Sequence, residues 1–390
     1  MSKTEARTLG AVVGQTLHDL GVGVVTWVPG LGVTACAEAY GGAVGRSVPP
    51  SFHEEVAVGC GHGAALAGTR SAVAIKTHGL FKAANAVSDA LFCGTTAAFV
   101  LVVVDDLSGI QSDSIVAAGP VLDALEVPWI SSGPATIGPD LSEAATRSES
   151  LGSPVALVVD AAEVSSPAVG LRSRPIPLSP PSFRRDPARH LLIPPLIHHQ
   201  RTALTSRLAG DAPPPSPSLP RVPEGVPPSW RPALERYGPV FDAFVEHRPS
   251  FVAGDIGLSS CYGLPPYDAI DAVSYMGGAV PIALGASLSG NDDAWAVTGD
   301  FSFVAAGHLG LLEAVARDLP LRVLLLANGM AETTGGQPVT TATLGRVLAG
   351  YHDAIVSLED PLEQAACREA LEQARARDGL SIVVARYAAP

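Results

Sequence analysis

Strongly apolar runs, at 99–104, 154–159 and, broken only by Arg322, at 321–327, constrain this chain more than any other feature. None alternates apolar with polar residues, so none suits a sheet with one wet face. Each reads as a strand buried on both sides, as in a parallel sheet covered by helices. All are far shorter than the roughly 20 apolar residues that cross a membrane. Further strand candidates are 22–28, 71–75, 251–254, 294–297 and 381–385. Helical patterns fill 5–20, 54–67, 82–92, 278–288, 306–316 and 361–376. In 306–316, Leu309, Leu312 and Val315 share one face. The alternation predicts an α/β fold with two doubly wound parallel-sheet domains.

A stretch at 165–229 breaks the rhythm. It holds Pro180-Pro181, Pro194-Pro195 and Pro213–Pro215, and proline at this density removes donors and breaks helices. It reads as an interdomain linker with little regular structure, between domains at 1–164 and 230–390. The adjacent His198 and His199 within it are read as exposed loop residues.

Composition bounds the function classes. Hydrophobic residues make up 47% and charged ones 16%, enough apolar surface for sizeable cores. The net charge is −13, and the Lys/Arg residues are spread thinly, with a mild cluster at 172–189, so no nucleic-acid surface is expected. Five cysteines, none in C-x-x-C spacing, argue against a zinc or iron–sulfur site and suit a reducing, cytoplasmic compartment. Residues 1–6 are polar, without the basic and apolar regions of a signal peptide.

The chemistry is concentrated after strand ends. Gly299-Asp300-Phe301-Ser302 follows the strand at 294–297, and Asn328-Gly329-Met330 follows the one at 321–327. Open α/β sheets bind ligands at such carboxyl ends. Asp300 and Asn328 offer hard oxygens, and a turn carbonyl near Met330 a third, which suits magnesium sharing its shell with phosphate oxygens. Gly299 allows close backbone approach, and Ser302 stands where a helix N-terminus meets phosphate. Upstream lie Phe52-His53-Glu54-Glu55-Val56, then Lys76-Thr77-His78-Gly79-Leu80-Phe81 and Asn85, again after a strand.

The unit Gly-Asp, helix, strand, Asn resembles the signature of thiamine-diphosphate-dependent enzymes, a GDG followed by NN. Here Phe301 stands for the third Gly and Ala327 for the first Asn, while the ligands Asp300 and Asn328 are retained. The resemblance extends over 6–159 and 234–385. It implies a pyrimidine-binding domain at 1–164 and a diphosphate-binding domain at 230–390, with thiamine diphosphate and Mg2+ as cofactors. Gly299, Asp300, Phe301, Ser302, Asn328 and Met330 then border the cofactor, and Asp300, Asn328 and Met330 hold the metal. Met276 is the wedge that bends the cofactor, and the Ser274 carbonyl accepts from its aminopyrimidine. Glu54, with Gly63 nine residues on, is the carboxylate that drives formation of the ylid; its burial beside an apolar ring would raise its pKa. Glu55 is its competitor.

His78 followed seven residues later by Asn85 resembles benzoylformate decarboxylases, which makes His78 a catalytic candidate and Phe81, Asn85 and Glu332 substrate-side candidates. The two-domain order and Gly335-Gly336-Gln337-Pro338 are similar to phosphonopyruvate and sulfopyruvate decarboxylases. Residues 76–106 are similar to indolepyruvate ferredoxin oxidoreductase, whose clusters this chain lacks the cysteines to hold. The resemblance thus implies non-oxidative decarboxylation of a 2-oxo acid through an enamine. Lys76 and Lys82 are the only basic residues near the first-half motifs and the second-half motifs carry none, which tilts the substrate toward an aryl- or indolepyruvate. The enamine has a second exit, attack on another carbonyl, which would make the chain a carboligase; a cofactor-binding subunit that needs a partner is the other reading. The family also implies a homodimer or homotetramer with sites between subunits, and no nucleic-acid or membrane partner.

Overall fold

The computed structural model describes residues 7–168 and 182–388, so the expectations for 1–6, for Pro180-Pro181 and for Arg172 and Arg174 fall outside it. The chain divides between Phe183 and Arg184 into two compact units, each described by itself.

The first unit is built on a five-stranded, wholly parallel sheet. Its spatial order is Val24–Trp27, Ser71–Lys76, Phe99–Asp105, Val155–Asp160, Trp129–Ser131. Phe99–Asp105 is buried along its whole length, as its unbroken apolar run requires. Leu9, Val13 and Leu17 of the helix Leu9–Asp19 join Val33, Cys36 and Tyr40 of the helix Val33–Val44 in one core with these strands. The stretch expected to be one helix at 82–92 is two, Thr77–Lys82 and Ala84–Cys93, with Ala83 at the break.

The second unit carries six parallel strands in the order Ile355–Leu358, Leu380–Arg386, Leu321–Ala327, Ala294–Gly299, Phe251–Asp255, Ala272–Ser274. The helix Ala279–Leu288 is made of small and apolar residues and is buried almost all round. That burial explains a difference from expectation. In the helix His308–Ala316, Leu312 and Val315 are exposed, while Gly310, Leu311 and Ala314 are buried. A side chain at Gly310 would meet Val280 at 2.7 Å, so the face of Gly310 turns inward, with Leu311 and Ala314, and Leu312 and Val315 are left outside. Glu313 is buried with them and paired to Arg317 at 2.7 Å.

The proline-rich stretch is more regular than its composition suggests. Residues from 184 on belong to the second unit, and a 13-residue helix, Ile197–Ala209, runs through them. Its prolines sit at 194–195 and 213–215, outside the helix, and leave 197–209 free of breakers. Gln200 and Leu204 are buried, Gln200 donating to the Leu191 carbonyl at 2.6 Å, and Leu191 bridges to Val273. His198 is exposed on that helix rather than in a loop. Among the described residues no helix is long and apolar enough to cross a membrane. The five cysteines are buried, and none of them is in a disulfide.

Candidate active site

In the first unit, Glu54 opens the helix Glu54–Leu66, which is capped by the His53 side chain accepting from Glu55 N at 3.2 Å. Two acidic residues in this first turn suit the positive end of the helix dipole. The Glu54 carboxylate is only 15% exposed and meets Lys82 Nζ at 2.8 Å. Gly79 makes this possible: a side chain there would lie 2.7 Å from Glu54 Cγ. The turn carrying His78 is therefore pressed directly against Glu54. Burial, and then Asp89, push the neighbouring Glu55 upward, while burial and Lys82 hold the His53 imidazole low.

His78 is half-buried with Nε2 2.9 Å from Ser114 Oγ. Phe81 and Asn85 are exposed. Lys76 reaches Ser112 Oγ at 2.7 Å and Asp106 at 3.4 Å. Asp106 also accepts from Ser112 Oγ and from the Gln111 and Ile110 amides, which hold it far below the ordinary carboxylate range. Both lysines near these motifs are thus engaged by carboxylates.

In the second unit a cavity of about 460 Å3 opens at the carboxyl ends of the strands. It is bordered by Met276, Gly299, Phe301, Ser302, Asn328, Met330 and Glu332, so the sequence candidates of this half converge. Asp300 lies beneath, 1% exposed. Its Oδ2 accepts from Gly329 N at 2.6 Å, while Oδ1 is buried with no hydrogen-bond partner. Burial pushes this carboxyl up to about 6. The Asn328 amide nitrogen donates to Tyr237 Oη at 2.8 Å and Glu332 Oε2 at 3.0 Å, and Asn328 Oδ1 accepts from Met330 N at 3.2 Å. An orphaned carboxylate oxygen beside an amide oxygen and a turn carbonyl is the donor set a hard cation takes. At Gly299 a side chain would meet nothing within 4 Å, so the strand end leaves open space for a ligand. The residues fit a metal-bound diphosphate.

Ser274 differs in detail from its assignment. Its carbonyl already accepts from Ile256 N at 2.9 Å, which leaves one lone pair for an aminopyrimidine, and its hydroxyl is buried without a partner. Met276 is 38% exposed at the cavity wall. The next residue, Gly277, has φ of +91°, and a side chain on it would lie 2.7 Å from Gly307 N, so only glycine fits here. Directly after Ser302 the helix passes through a π turn, Phe303–Gly307, an irregularity common at functional sites.

Several residues escaped the sequence reading. Tyr237 and Trp230 reach the cavity from the start of the helix Arg231–Glu246 and the turn before it, with Ser259, Ser260, Thr333 and Thr334. Burial and Glu332 raise the Tyr237 phenol far above its ordinary range, so it keeps its proton. Asp255 was missed although it ends a strand after a glycine, while Asp300 directly follows a strand ending in one. It accepts from Ala279 N at 2.7 Å, from Gly277 N and from the Thr298 hydroxyl. Asp105 in the first unit does likewise, accepting from Ala118 N at 3.0 Å and from the Thr77 hydroxyl. These two aspartates are satisfied struts; Asp300 alone among the three keeps an orphaned oxygen.

Residues 255–385 match the thiamine pyrophosphate enzyme family, C-terminal TPP binding domain. No curated protein sequence matches the chain. Among solved structures, a provisionally assigned thiamin diphosphate-dependent enzyme from Mycobacterium smegmatis is similar with a TM-score of 0.66 at 14% identity, over 97% of this chain and 99% of that one. A thiamine diphosphate-dependent 4-hydroxybenzoylformate decarboxylase from Rhodococcus jostii gives 0.64 at 14%, over 98% and 99%. Benzoylformate decarboxylase from Polynucleobacter necessarius gives 0.64 at 12%, over 97% and 98%. At these identities the likeness bears on the fold, and it spans both units. By sequence, residues 255–385 are similar to the TPP-binding domain of that family, and in fold nearly the whole chain is similar to solved structures described as thiamine-diphosphate-dependent enzymes.

Proposed function

We propose that the protein uses thiamine diphosphate and Mg2+ to decarboxylate, without oxidation, a 2-oxo acid whose side chain is apolar or aromatic. The observation that carries this reading is the buried, unpartnered Asp300 Oδ1 beside Asn328 under a cavity of about 460 Å3. Similarity in fold to structures described as benzoylformate and 4-hydroxybenzoylformate decarboxylases supports the reaction class. The engagement of Lys76 by Asp106 and of Lys82 by Glu54 supports the substrate class, because neither lysine is left to clamp a second anionic group.

When bound, the cofactor supplies the electron sink for the carbon–carbon bond cleavage. The chain's own residues do the rest. Asp300, Asn328 and the Met330 carbonyl would hold the cation, and Gly299 with Ser302 would admit the diphosphate. Met276 shapes the ring end of the cavity. Glu54, whose carboxylate meets Lys82 Nζ at 2.8 Å, would hold a proton at the aminopyrimidine. His78 would move a proton at the substrate oxygen or carbon. We take the active form to be a homodimer or dimer of dimers in the cytoplasm, which sedimentation of the active protein checks.

The test is turnover of benzoylformate, 4-hydroxybenzoylformate, phenylpyruvate and indolepyruvate, singly and in pairs, with thiamine diphosphate and Mg2+. Carbon dioxide with the matching aldehyde is the expected result. A product formed only from paired substrates would replace decarboxylase with carboligase. Cofactor binding without carbon dioxide from any acid would overturn the reading in favour of a subunit that needs a partner.

A further inference from the structure

Resting on the cation site just described, the geometry assigns Tyr237 and Glu332 as positioning residues that lock the Asn328 amide with its oxygen, rather than its nitrogen, turned toward a divalent cation; that oxygen accepts from Met330 N at 3.2 Å and keeps a second lone pair. The three side chains close a ring. Asn328 Nδ2 donates to Tyr237 Oη at 2.8 Å and to Glu332 Oε2 at 3.0 Å, and Tyr237 Oη donates to the same Glu332 oxygen at 2.6 Å.

The directions of these bonds are forced. A carboxylate only accepts, so Tyr237 spends its single proton on Glu332 and turns a lone pair to Asn328. Asn328 therefore faces two acceptors, and only its NH2 satisfies both. A flipped amide would set Oδ1 against a carboxylate and a phenol lone pair, and would point two N–H groups at the cation. A metal ligand whose far side is held in this way is the common pattern in metalloproteins.

The ring is itself anchored. Tyr237 is 2% exposed, packed edge-on against Tyr387 at 4.9 Å between centroids, and Arg236 lies over the Tyr387 ring at 5.4 Å. Glu332 sits in the strand-like turn after Met330, which pairs Ala331 with Gln337. The arrangement gives Glu332 a role other than contact with substrate. Its Oε2 is already shared by two donors.

The experiment titrates Mg2+ into full-length protein at saturating thiamine diphosphate, read by intrinsic fluorescence, since Trp230 borders the cavity. Tyr237→Phe and Glu332→Ala should each weaken Mg2+ binding 10- to 100-fold, the loss typical of such supporting partners. Glu332→Gln, which can still present an acceptor to Asn328, should lose less than Glu332→Ala. In an Asn328→Ala background, Tyr237→Phe should weaken Mg2+ no further, because the clamp would have nothing left to hold. Unchanged Mg2+ affinity in Tyr237→Phe and Glu332→Ala overturns the proposal, as does an equal loss in the Asn328→Ala background. Asp300→Ala separates this failure from that of the site itself: if Asp300→Ala leaves Mg2+ binding intact, the cation site is wrong and the clamp falls with it.

Discussion

Asp255 makes a prediction that can be worked through from its surroundings. It is fully buried at the end of the strand Phe251–Asp255, and no charged group is among the causes of its shift. Burial pushes its carboxyl up to about 7, against the downward pull of Thr298, Ala279 N and Gly277 N. The folded value lies above the unfolded one, near 3.9, so the folded state binds the proton more tightly. The sign follows: this group's contribution is full below about pH 4 and is lost as pH rises toward 7. Between pH 5 and pH 7 the loss comes to about 2 kcal/mol, at about 1.4 kcal/mol per unit with the flattening near each pKa. Asp255→Asn cannot ionise, yet its oxygen can still accept from Ala279 N while its nitrogen donates to the Thr298 hydroxyl. The variant should therefore gain on the wild type by about 2 kcal/mol over that range. For a unit of this size that is a rise of roughly 4–8 °C in the difference in Tm. Calorimetry of both proteins at pH 5, 6 and 7, without cofactor, reads it. A difference in Tm that stays flat across these pH values refutes the reasoning, because it would mean that Asp255 carries the same charge throughout.

The remaining predictions concern the two halves of the site. Asp300→Ala should weaken Mg2+ at least 100-fold, since it removes the only orphaned carboxylate oxygen of the cluster, while the circular dichroism of the apoprotein stays unchanged. Glu54→Gln should lower kcat by roughly 10²–10⁴-fold, the usual range for a lost proton-transfer group, while cofactor affinity read by fluorescence moves little. Gly79→Ala puts a methyl 2.7 Å from Glu54 Cγ, and should lower kcat with a smaller effect on KM. Gly277→Ala combines φ of +91° with a 2.7 Å approach to Gly307 N, and should cost about 2 kcal/mol or more, seen as a lower Tm and poorer cofactor retention.

The strands were legible because burial on both sides leaves a run that is apolar throughout or nearly so, with Arg322 the one break at 321–327. The run at 99–104 became Phe99–Asp105, and that at 321–327 became Leu321–Ala327. The site candidates of the second unit were legible for a related reason: a parallel sheet puts its ligands just past strand ends, so Asp300 and Asn328 stand beside the strands that announce them. Legibility failed where the signal lies in three dimensions. Leu312 and Val315 have the spacing of a core stripe, but the face that turns inward is that of Gly310, which lies against Val280. The helix Ile197–Ala209 hid inside a proline-rich average, because composition over 165–229 says nothing about where the prolines fall.

Tyr237 shows where sequence reading stops at the site itself. It lies 91 residues before Asn328 in a helix with no motif around it, yet it donates to one neighbour of the cluster and accepts from the other. A ligand such as Asp300 is visible in sequence because its chemistry is its own: a carboxylate after a strand can mean little else than a cap, a strut or a metal ligand. Even so, Gly254-Asp255 and Gly299-Asp300 are indistinguishable as letters. What separates them is not how many donors reach each carboxylate, since backbone amides reach both, but that Asp300 alone keeps one buried oxygen, Oδ1, with no hydrogen-bond partner. A buried acceptor left without a donor costs free energy. Folding tolerates that cost where a bound cation would later offset it, so under the proposed function the unsatisfied oxygen, rather than the motif, would single out Asp300 from Asp255.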